Sequence, residues 1–147
     1  MRALIEETEK GLTVPAHFHC PSRRLSRPLD FLIDTGSSRS FLSWTDAKEM
    51  GVEIDHLPTH PKPVRGFGGG TSVKHLKDPC FVYLEFDRIP KPVDFPDGIL
   101  VYEPSKQRSL QGQKLGPGPS ILGRDLMRRS GWTLHVNLQK GERWFEG

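Results

Sequence analysis

Apolar residues recur at alternate positions in several short segments of the chain, and this spacing predicts β-strands. Residues 80–86 follow the pattern and residues 12–20 follow it imperfectly. Residues 99–102 form a short apolar run that also predicts a strand, and residues 29–33 are apolar except for Asp30. The segment 21–28, which lies between the first two strands along the chain, is rich in proline and arginine and predicts a hairpin turn. A last strand is predicted from Trp132 to Val136.

Two segments instead carry the signals of short helices. Ser43 precedes Asp46 with the spacing of a capping box, so residues 44–50 are predicted to be helical, and Gly51 suits the left-handed residue after the last turn. A second helix is predicted over residues 124–130, where a glycine follows directly.

Glycine and proline punctuate the rest of the chain. The glycine cluster of residues 66–70, within the segment 64–75, predicts a hairpin with a mobile tip. Residues 90–96 contain prolines that are expected to break regular structure, and residues 103–120 predict a long polar loop. Most of the predicted elements are strands, so the predicted fold class is all-β, a barrel-like closed sheet with two short helices.

A length of 147 residues predicts one domain. We expect it to span residues 12–147, with residues 1–11 forming a tail or an outer strand. A chain of this size buries only about two thirds of its unfolded surface. Burial of further apolar surface at a subunit interface would therefore stabilise the folded chain.

Charge, cysteine content and the absence of long apolar segments in the sequence bear on partners and localisation. The net charge is +3 and the pI about 9.0, but basic residues do not cluster beyond pairs, so no nucleic-acid partner is expected. Cys20 and Cys80 are far apart in sequence and are expected to be reduced. The acidic start differs from a signal peptide and no segment has the length of a membrane span, so we expect a cytoplasmic protein without a membrane partner.

The strand over residues 29–33 runs directly into Asp34-Thr35-Gly36-Ser37. A buried strand would hold the Asp34 carboxylate rigidly, Gly36 permits a sharp turn, and two hydroxyls lie beside the acid. Taken alone, the same tripeptide also fits a purely structural turn.

A second motif favours a catalytic role. Ile121-Leu122-Gly123 is an apolar pair followed by glycine, just before the second predicted helix. With Asp-Thr-Gly-Ser and the glycine-rich hairpin at these distances, the sequence resembles the retropepsin family of aspartic peptidases over residues 12 to 137. The resemblance implies an aspartic endopeptidase that needs no cofactor and no metal.

The resemblance also implies roles for individual residues. Asp34, Thr35 and Gly36 match the catalytic triplet, and Thr35 also matches a hydroxyl that bonds across a dimer. Positions that match substrate-binding elements, including the flap tip that closes over the peptide, are Leu32, Ser37, Ser38, Phe41, Gly66, Phe67, Gly68 and Ile121. Arg124 matches an arginine that braces the dimer, and the terminal strand with Trp132 and Val136 is expected to add contacts.

Peptide hydrolysis by this chemistry needs two carboxylates that share a proton. The chain has one Asp-Thr-Gly, so a homodimer is expected to supply the second aspartate through its two-fold axis, with a peptide or unfolded protein as substrate. Retroviral enzymes usually carry an aspartate at the position of Ser38, so Arg124 must find another partner here. Ser37 is expected to donate a hydrogen bond to the Asp34 carboxylate and to lower the pair's pKa values.

Several alternatives stay open. The chain could be a non-catalytic interaction module that keeps the same fold, or a polyprotein-processing protease derived from a retroelement. His17 and His19 share one side of a predicted strand next to Cys20, which is too few ligands for a convincing metal site. The glycine cluster lacks the ending of a phosphate-binding loop.

Overall fold

A computed structural model describes residues 1–61, 64–66, 69–71, 73–102 and 118–147, with the backbone alone for 64–66 and 69–71. The predicted flap-tip residues Phe67 and Gly68 and most of the predicted loop 103–120 lie outside these ranges.

Strands dominate the described residues. They are β1 (Arg2–Leu4), β2 (Glu6–Thr8), β3 (Gly11–Cys20), β4 (Leu25–Ile33), β5 (Phe41–Ser43), β6 (Val64–Gly66), β7 (Gly69–Thr71), β8 (Val73–Leu76), β9 (Cys80–Phe86), β10 (Ile89–Phe95), β11 (Ile99–Tyr102), β12 (Ser120–Leu122), β13 (Thr133–Asn137) and β14 (Glu142–Glu146). Two short α-helices, α1 (Trp44–Glu49) and α2 (Arg124–Ser130), and 3-10 turns at Pro21–Arg23 and Ile54–His56 complete the described elements.

The strands form one large sheet and two small ones. The large sheet has the order β10-β9-β3-β4-β12-β5-β11-β8, with β2 also paired to β3. The chain ends form a separate sheet in the order β1-β14-β13, and β6 pairs with β7. The predicted all-β class is confirmed. The sheet is open rather than a closed barrel, since the described strands β10 and β8 end the path without pairing to each other.

The core lies under the long strands of the large sheet. Phe18 of β3, Phe31 of β4 and Phe86 of β9 are fully buried. Phe145 of β14 and Leu126 of α2 belong to the same apolar cluster, so the terminal sheet and the second helix close over it. Each such side chain contributes about 1.5–3 kcal/mol by leaving water.

Strand β4 begins earlier than the sequence predicted, because the preceding turn is tighter. The turn occupies only Pro21–Arg23, and Arg24 takes the left-handed conformation with φ 56°. The ladder then pairs Cys20 with Leu25, so residues 25–28 belong to the strand.

The predicted breaker at residues 90–96 is wrong over most of its length, because residues 89–95 form strand β10. This strand ends the path of the large sheet and pairs with β9 alone among the described strands. Pro90 and Pro92 lie opposite Glu85 and Tyr83. An edge strand tolerates prolines because the N–H groups on its outer side have no neighbouring strand to which they must donate hydrogen bonds.

Both predicted helices are confirmed. The Ser43 hydroxyl accepts from the Asp46 N–H at 3.0 Å and caps α1, and Gly51 follows with φ 89°. Helix α2 has the predicted bounds, and Gly131 caps it in the left-handed conformation with φ 71°.

The two ends of the chain meet in the terminal sheet. Strand β1 pairs with β14, Arg2 opposite Glu146, and β2 continues along β3. No described helix has the length and apolar content that crossing a membrane would require.

Candidate active site

The candidate catalytic loop begins where β4 ends. The Asp34 N–H donates to the Leu122 carbonyl at 3.0 Å, and the Ser37 N–H donates back to the Asp34 carbonyl at 3.1 Å. The Asp34 carboxylate accepts from the Gly36 N–H at 2.9 Å through Oδ1. The acid is therefore half-buried and fixed in direction, while Thr35 and Gly36 are exposed beside it.

Strand β12 places the second motif against the first. It runs parallel to β4, with Ile121 opposite Leu32, and antiparallel to β5, with Ile121 opposite Phe41. The structure therefore brings together Leu32, Phe41 and Ile121, three of the positions that match substrate-binding elements of the retropepsins.

These three belong to a small apolar cluster that is separate from the main core. Its buried members are Phe41, Val73, Leu100, Tyr102 and Ile121, and Leu32 packs against them partly exposed. The Tyr102 hydroxyl donates to the Pro119 carbonyl at 2.6 Å. Burial, and to a lesser degree the Asp46 charge, raises the pKa of Tyr102 to about 12, so the phenol stays protonated near neutral pH.

Gly123 follows β12 and allows a close backbone contact. A Cβ atom there would lie 2.8 Å from the Ser37 carbonyl oxygen and still closer to that of Arg39. The next residue, Arg124, donates its N–H to the Ser37 carbonyl at 2.8 Å. The site loop thus packs directly against the chain leading into α2, and a side chain at this position would force the two apart.

Ser40 and Asp125 form a network behind the loop that sequence reasoning missed. Ser40 donates to Asp125 twice, from its N–H at 2.8 Å and from its hydroxyl at 2.6 Å. The Ser40 hydroxyl accepts from the Gly123 N–H at 3.0 Å. The signal available in the sequence was the acid directly after Gly-Arg, in the first turn of α2.

A second missed network joins β12 to α1. The buried Ser120 hydroxyl donates to the Asp46 carboxylate at 2.5 Å and accepts from the Ser43 N–H at 2.9 Å. In a simple capping box the acid would bond that N–H itself. Here a serine from a distant strand stands between the two, so the helix cap also fixes the strand that supports Asp34.

Arg124 has a backbone carbonyl as its partner, and Ser37 makes a contact other than the expected one. Arg124 is exposed, and its Nη1 donates to the Thr35 carbonyl at 3.2 Å. The Ser37 hydroxyl donates to the Arg39 carbonyl at 2.7 Å. Its proton is thereby committed to the backbone, so the expectation that Ser37 donates to the Asp34 carboxylate is wrong. Ser38 is exposed.

The glycine cluster forms the predicted hairpin at the level of the backbone. Strand β6 pairs with β7, with Val64 opposite Thr71 and Gly66 opposite Gly69. The connecting residues Phe67 and Gly68 lie outside the described ranges, so their role as a flap tip stays a prediction.

The residues predicted for a dimer interface have different surroundings. The Trp132 ring packs within its own chain, 4.6 Å from the Phe86 ring and 6.3 Å from the Phe145 ring between centroids. Val136 is 40% exposed on β13, whose pairing within the described residues is with β14 alone.

Among the described residues, no third metal ligand joins the two histidines of β3. His17 and His19 lie on the outer side of β3, where the His17 Nε2 is 2.6 Å from the Ser26 hydroxyl, while Cys20 is buried on the inner side. Over the described ranges, no three His, Cys, Asp or Glu residues cluster in a way that could hold a metal ion.

Comparison with known proteins gives matches by structure. No protein-family model matches the sequence, and a search of curated proteins finds no match either. A retropepsin-like aspartic protease from Rickettsia conorii superposes with a TM-score of 0.52 at 16% identity, covering 99% of this chain and 89% of that one.

Two further structures are similar at lower scores. The EIAV protease in complex with an inhibitor gives a TM-score of 0.46 at 17% identity, covering 84% of this chain and 91% of that one. The retroviral protease-like domain of Ddi1 from Leishmania major gives 0.47 at 11% identity, covering 92% and 94%. Together with the strand order and the site geometry above, the similarity to the Rickettsia structure shows that this chain has the fold of the retropepsin-like aspartic proteases.

Proposed function

We propose that the protein is an aspartic endopeptidase that acts as a homodimer, with Asp34 of each subunit forming the catalytic pair. The observation that carries the proposal is the setting of Asp34. Its carboxylate accepts a hydrogen bond from the Gly36 N–H, and its own N–H donates to the Leu122 carbonyl of β12. The loop tip beside it is exposed. Two further hydrogen-bond networks, Ser40–Asp125 and Ser120–Asp46, support the loop and the strand that hold it.

One carboxylate cannot perform both halves of the reaction. One aspartate must accept a proton from the attacking water while the other donates a proton to the carbonyl oxygen of the peptide. A second copy related by a two-fold axis would bring a second Asp34 to the exposed tip. Thr35 and Arg124 lie at the same tip, so they would be part of this contact.

The terminal sheet offers a second contact surface. Val136 and Leu138 are 40% and 52% exposed on and just after β13. The outer edge of β13 has no partner strand in the described part of the chain. An unpaired strand edge with exposed apolar residues suits pairing with a second copy. Because Trp132 packs inside its own chain, we assign it a supporting role beneath that surface.

The substrate would bind as an extended peptide between the catalytic loop and the hairpin β6–β7. Leu32 is the partly exposed member of the apolar cluster, so it would contact the substrate side chain directly, while Phe41 and Ile121 would back it. Ser37 and Ser38 follow the catalytic triplet and would flank the peptide. Gly66, Phe67 and Gly68 would close over it.

A mixing experiment tests the catalytic pair and the dimer together. Asp34→Asn should lower kcat/KM on a peptide library by about 10²–10⁴-fold, because the amide cannot take part in proton transfer. When parent and variant are mixed and allowed to exchange subunits, activity should fall with the square of the parent fraction. As the control, the parent is diluted with an inert protein at concentrations well above the dimer dissociation constant, where activity should decrease linearly.

The outcomes separate the proposal from its rivals. A variant with parental activity would exclude Asp34 as the catalytic acid. A linear decrease in the mixing series would mean that each subunit is active by itself. A parent that cleaves no member of the library and binds no statine-type inhibitor would favour a non-catalytic interaction module with this fold.

A further inference from the structure

The two cysteines lie opposite each other on neighbouring strands, away from the candidate active site. Strand β3 pairs antiparallel with β9, with Phe18 opposite Val82 and His19 opposite Phe81. One more step along this register places Cys20, the last residue of β3, opposite Cys80, the first residue of β9. Opposed residues in such a ladder have Cα atoms about 4.5–5.5 Å apart. The Cα atoms of disulfide-bonded cysteines are about 4.4–6.8 Å apart, so the two ranges overlap.

Their side chains also point to the same side. Cys20 and Cys80 are 0% and 1% exposed, and they share the inner face of the sheet with the buried Phe18 and Val82. Both are free thiols. The Cys80 thiol also donates to the Asp78 carbonyl at 3.0 Å.

Asp78 ties together the chain segments that carry the two thiols. Its carboxylate accepts from the Ser22 hydroxyl at 2.8 Å and from the Arg23 Nε at 3.0 Å. Ser22 and Arg23 follow Cys20, and Asp78 precedes Cys80. The two sulfur atoms are thus held close by contacts that do not depend on a bond between them.

We propose that Cys20 and Cys80 form a reversible disulfide between β3 and β9 when the protein meets a small disulfide oxidant such as oxidised glutathione. The thiolate of one cysteine attacks the oxidant, forms a mixed disulfide and releases one thiol. The second cysteine, losing its proton, attacks the protein-bound sulfur and releases the second thiol. The protein loses two electrons and two protons, and the oxidant is reduced to two thiols.

The buried environment of Cys80 slows the attack of its sulfur on the oxidant but does not prevent it. Burial raises the pKa of the Cys80 thiol well above its usual range, and the adjacent Cys20 thiol raises it further. The Cys80 thiolate is therefore scarce near neutral pH, and because both sulfur atoms are buried, the oxidant reaches them only when the strand ends open locally. The rate should rise as the pH is raised.

The bond would close a covalent ring that contains Asp34, helix α1 and the hairpin β6–β7. Restricting so long a segment in the unfolded chain stabilises the folded state. At equal protein concentration, we expect the oxidised form to melt about 5–15 °C above the reduced form.

Intact mass measurement under native conditions tests the proposal. The protein is equilibrated with glutathione over a series of oxidised-to-reduced ratios, quenched in acid and alkylated. With rising oxidant, the parent should lose two hydrogen atoms and both alkylation sites, and a peptide joining Cys20 to Cys80 should appear. Reduction should restore both thiols.

Single substitutions provide the controls. Cys20→Ala and Cys80→Ala should retain one alkylated cysteine or stop at a glutathione adduct. The parent measurement stands alone if either variant fails to fold. Persistent free thiols in the folded parent, adducts without the internal bond, links between chains, or a disulfide formed only after denaturation would each overturn the proposal.

Discussion

The Asp34 N–H donates to the Leu122 carbonyl, joining the end of β4 to a strand that enters the sheet much later in the sequence. The candidate catalytic acid is therefore positioned by β12 as much as by its own strand. Perturbing β12 or the residues around it should affect the site before it affects the distant parts of the core.

Replacing Gly123 by alanine should disrupt the site loop. The added Cβ would meet two backbone carbonyls, of Ser37 and Arg39, which cannot rotate away. We expect a loss of about 3 kcal/mol in the free energy of unfolding, together with loss of peptidase activity. Urea denaturation measures the first and a peptide assay the second.

Gly131→Ala is the matched control. Gly131 has φ 71°, but a Cβ there meets nothing within 4 Å. Only the backbone strain remains, at about 1–2 kcal/mol, with activity retained at temperatures where the protein is folded. Equal effects of the two substitutions would contradict the steric account of Gly123.

Ser120→Ala should destabilise the protein by about 1–3 kcal/mol, because it leaves a buried N–H of Ser43 and the Asp46 carboxylate without their partner. Asp46→Ala should cost a similar amount. Since the two side chains act through one network, the double variant should be less destabilised than the sum of the single ones. Additive free energies in this cycle would show that the contact is not coupled.

Activity should be highest in acid, with a bell-shaped pH profile. In the proposed dimer the two Asp34 carboxylates would lie about 3 Å apart and could not both ionise, so the pair would hold one proton over an intermediate pH window. An optimum on the alkaline side of neutral would contradict the shared-proton mechanism.

Ser37→Ala should leave that pH profile in place. The hydroxyl donates to the Arg39 carbonyl and not to the carboxylate of Asp34. Its loss should lower the stability of the loop by about 1 kcal/mol. A shift of the kcat/KM profile toward neutral pH would show that the hydroxyl turns to the carboxylate in the active dimer.

Asp78 should contribute stability that disappears in acid. The Ser22 hydroxyl, followed by the Arg23 charge, lowers the pKa of Asp78 below its ordinary value of 3.8. A lowered pKa in the folded state stabilises the protein above the ordinary value, and this contribution is lost as the pH falls through the folded pKa. Asp78→Asn should be less stable by about 0.5–1 kcal/mol at pH 7. The difference should vanish in unfolding curves recorded well below the ordinary value.

Val136→Lys should weaken the dimer while the fold is retained. Val136 is exposed on the open edge strand, and a lysine there would place a charge in the proposed contact. Sedimentation should show more monomer, and specific activity should fall more steeply on dilution. Ile89→Lys is the control, since Ile89 is 53% exposed on β10, an edge strand of the large sheet. Equal effects of the two substitutions would remove the reason for placing the interface at β13.

Local signals predicted the elements whose stability is local. Ser43 and Gly51 bound α1, Gly131 ends α2, and alternation marks β9, because caps and periodicity act within a few residues. The prolines of β10 misled the prediction, since only the sheet order shows that this strand lies at an edge, where an N–H can be absent without loss. Strands β1, β5 and β14 are too short, or too polar, to be recognised without their partners.

The sequence by itself determined the chemistry of the candidate site, because Asp34-Thr35-Gly36 and Ile121-Leu122-Gly123 are written in it. Only the tertiary structure decided what holds these motifs together. Ser40 donates a hydrogen bond to Asp125, which is 85 positions away in the sequence. Ser120 donates one to Asp46, which is 74 positions away. Hydrogen bonds between such distant residues leave no periodic pattern along the chain, since their partners are chosen by how the strands pack.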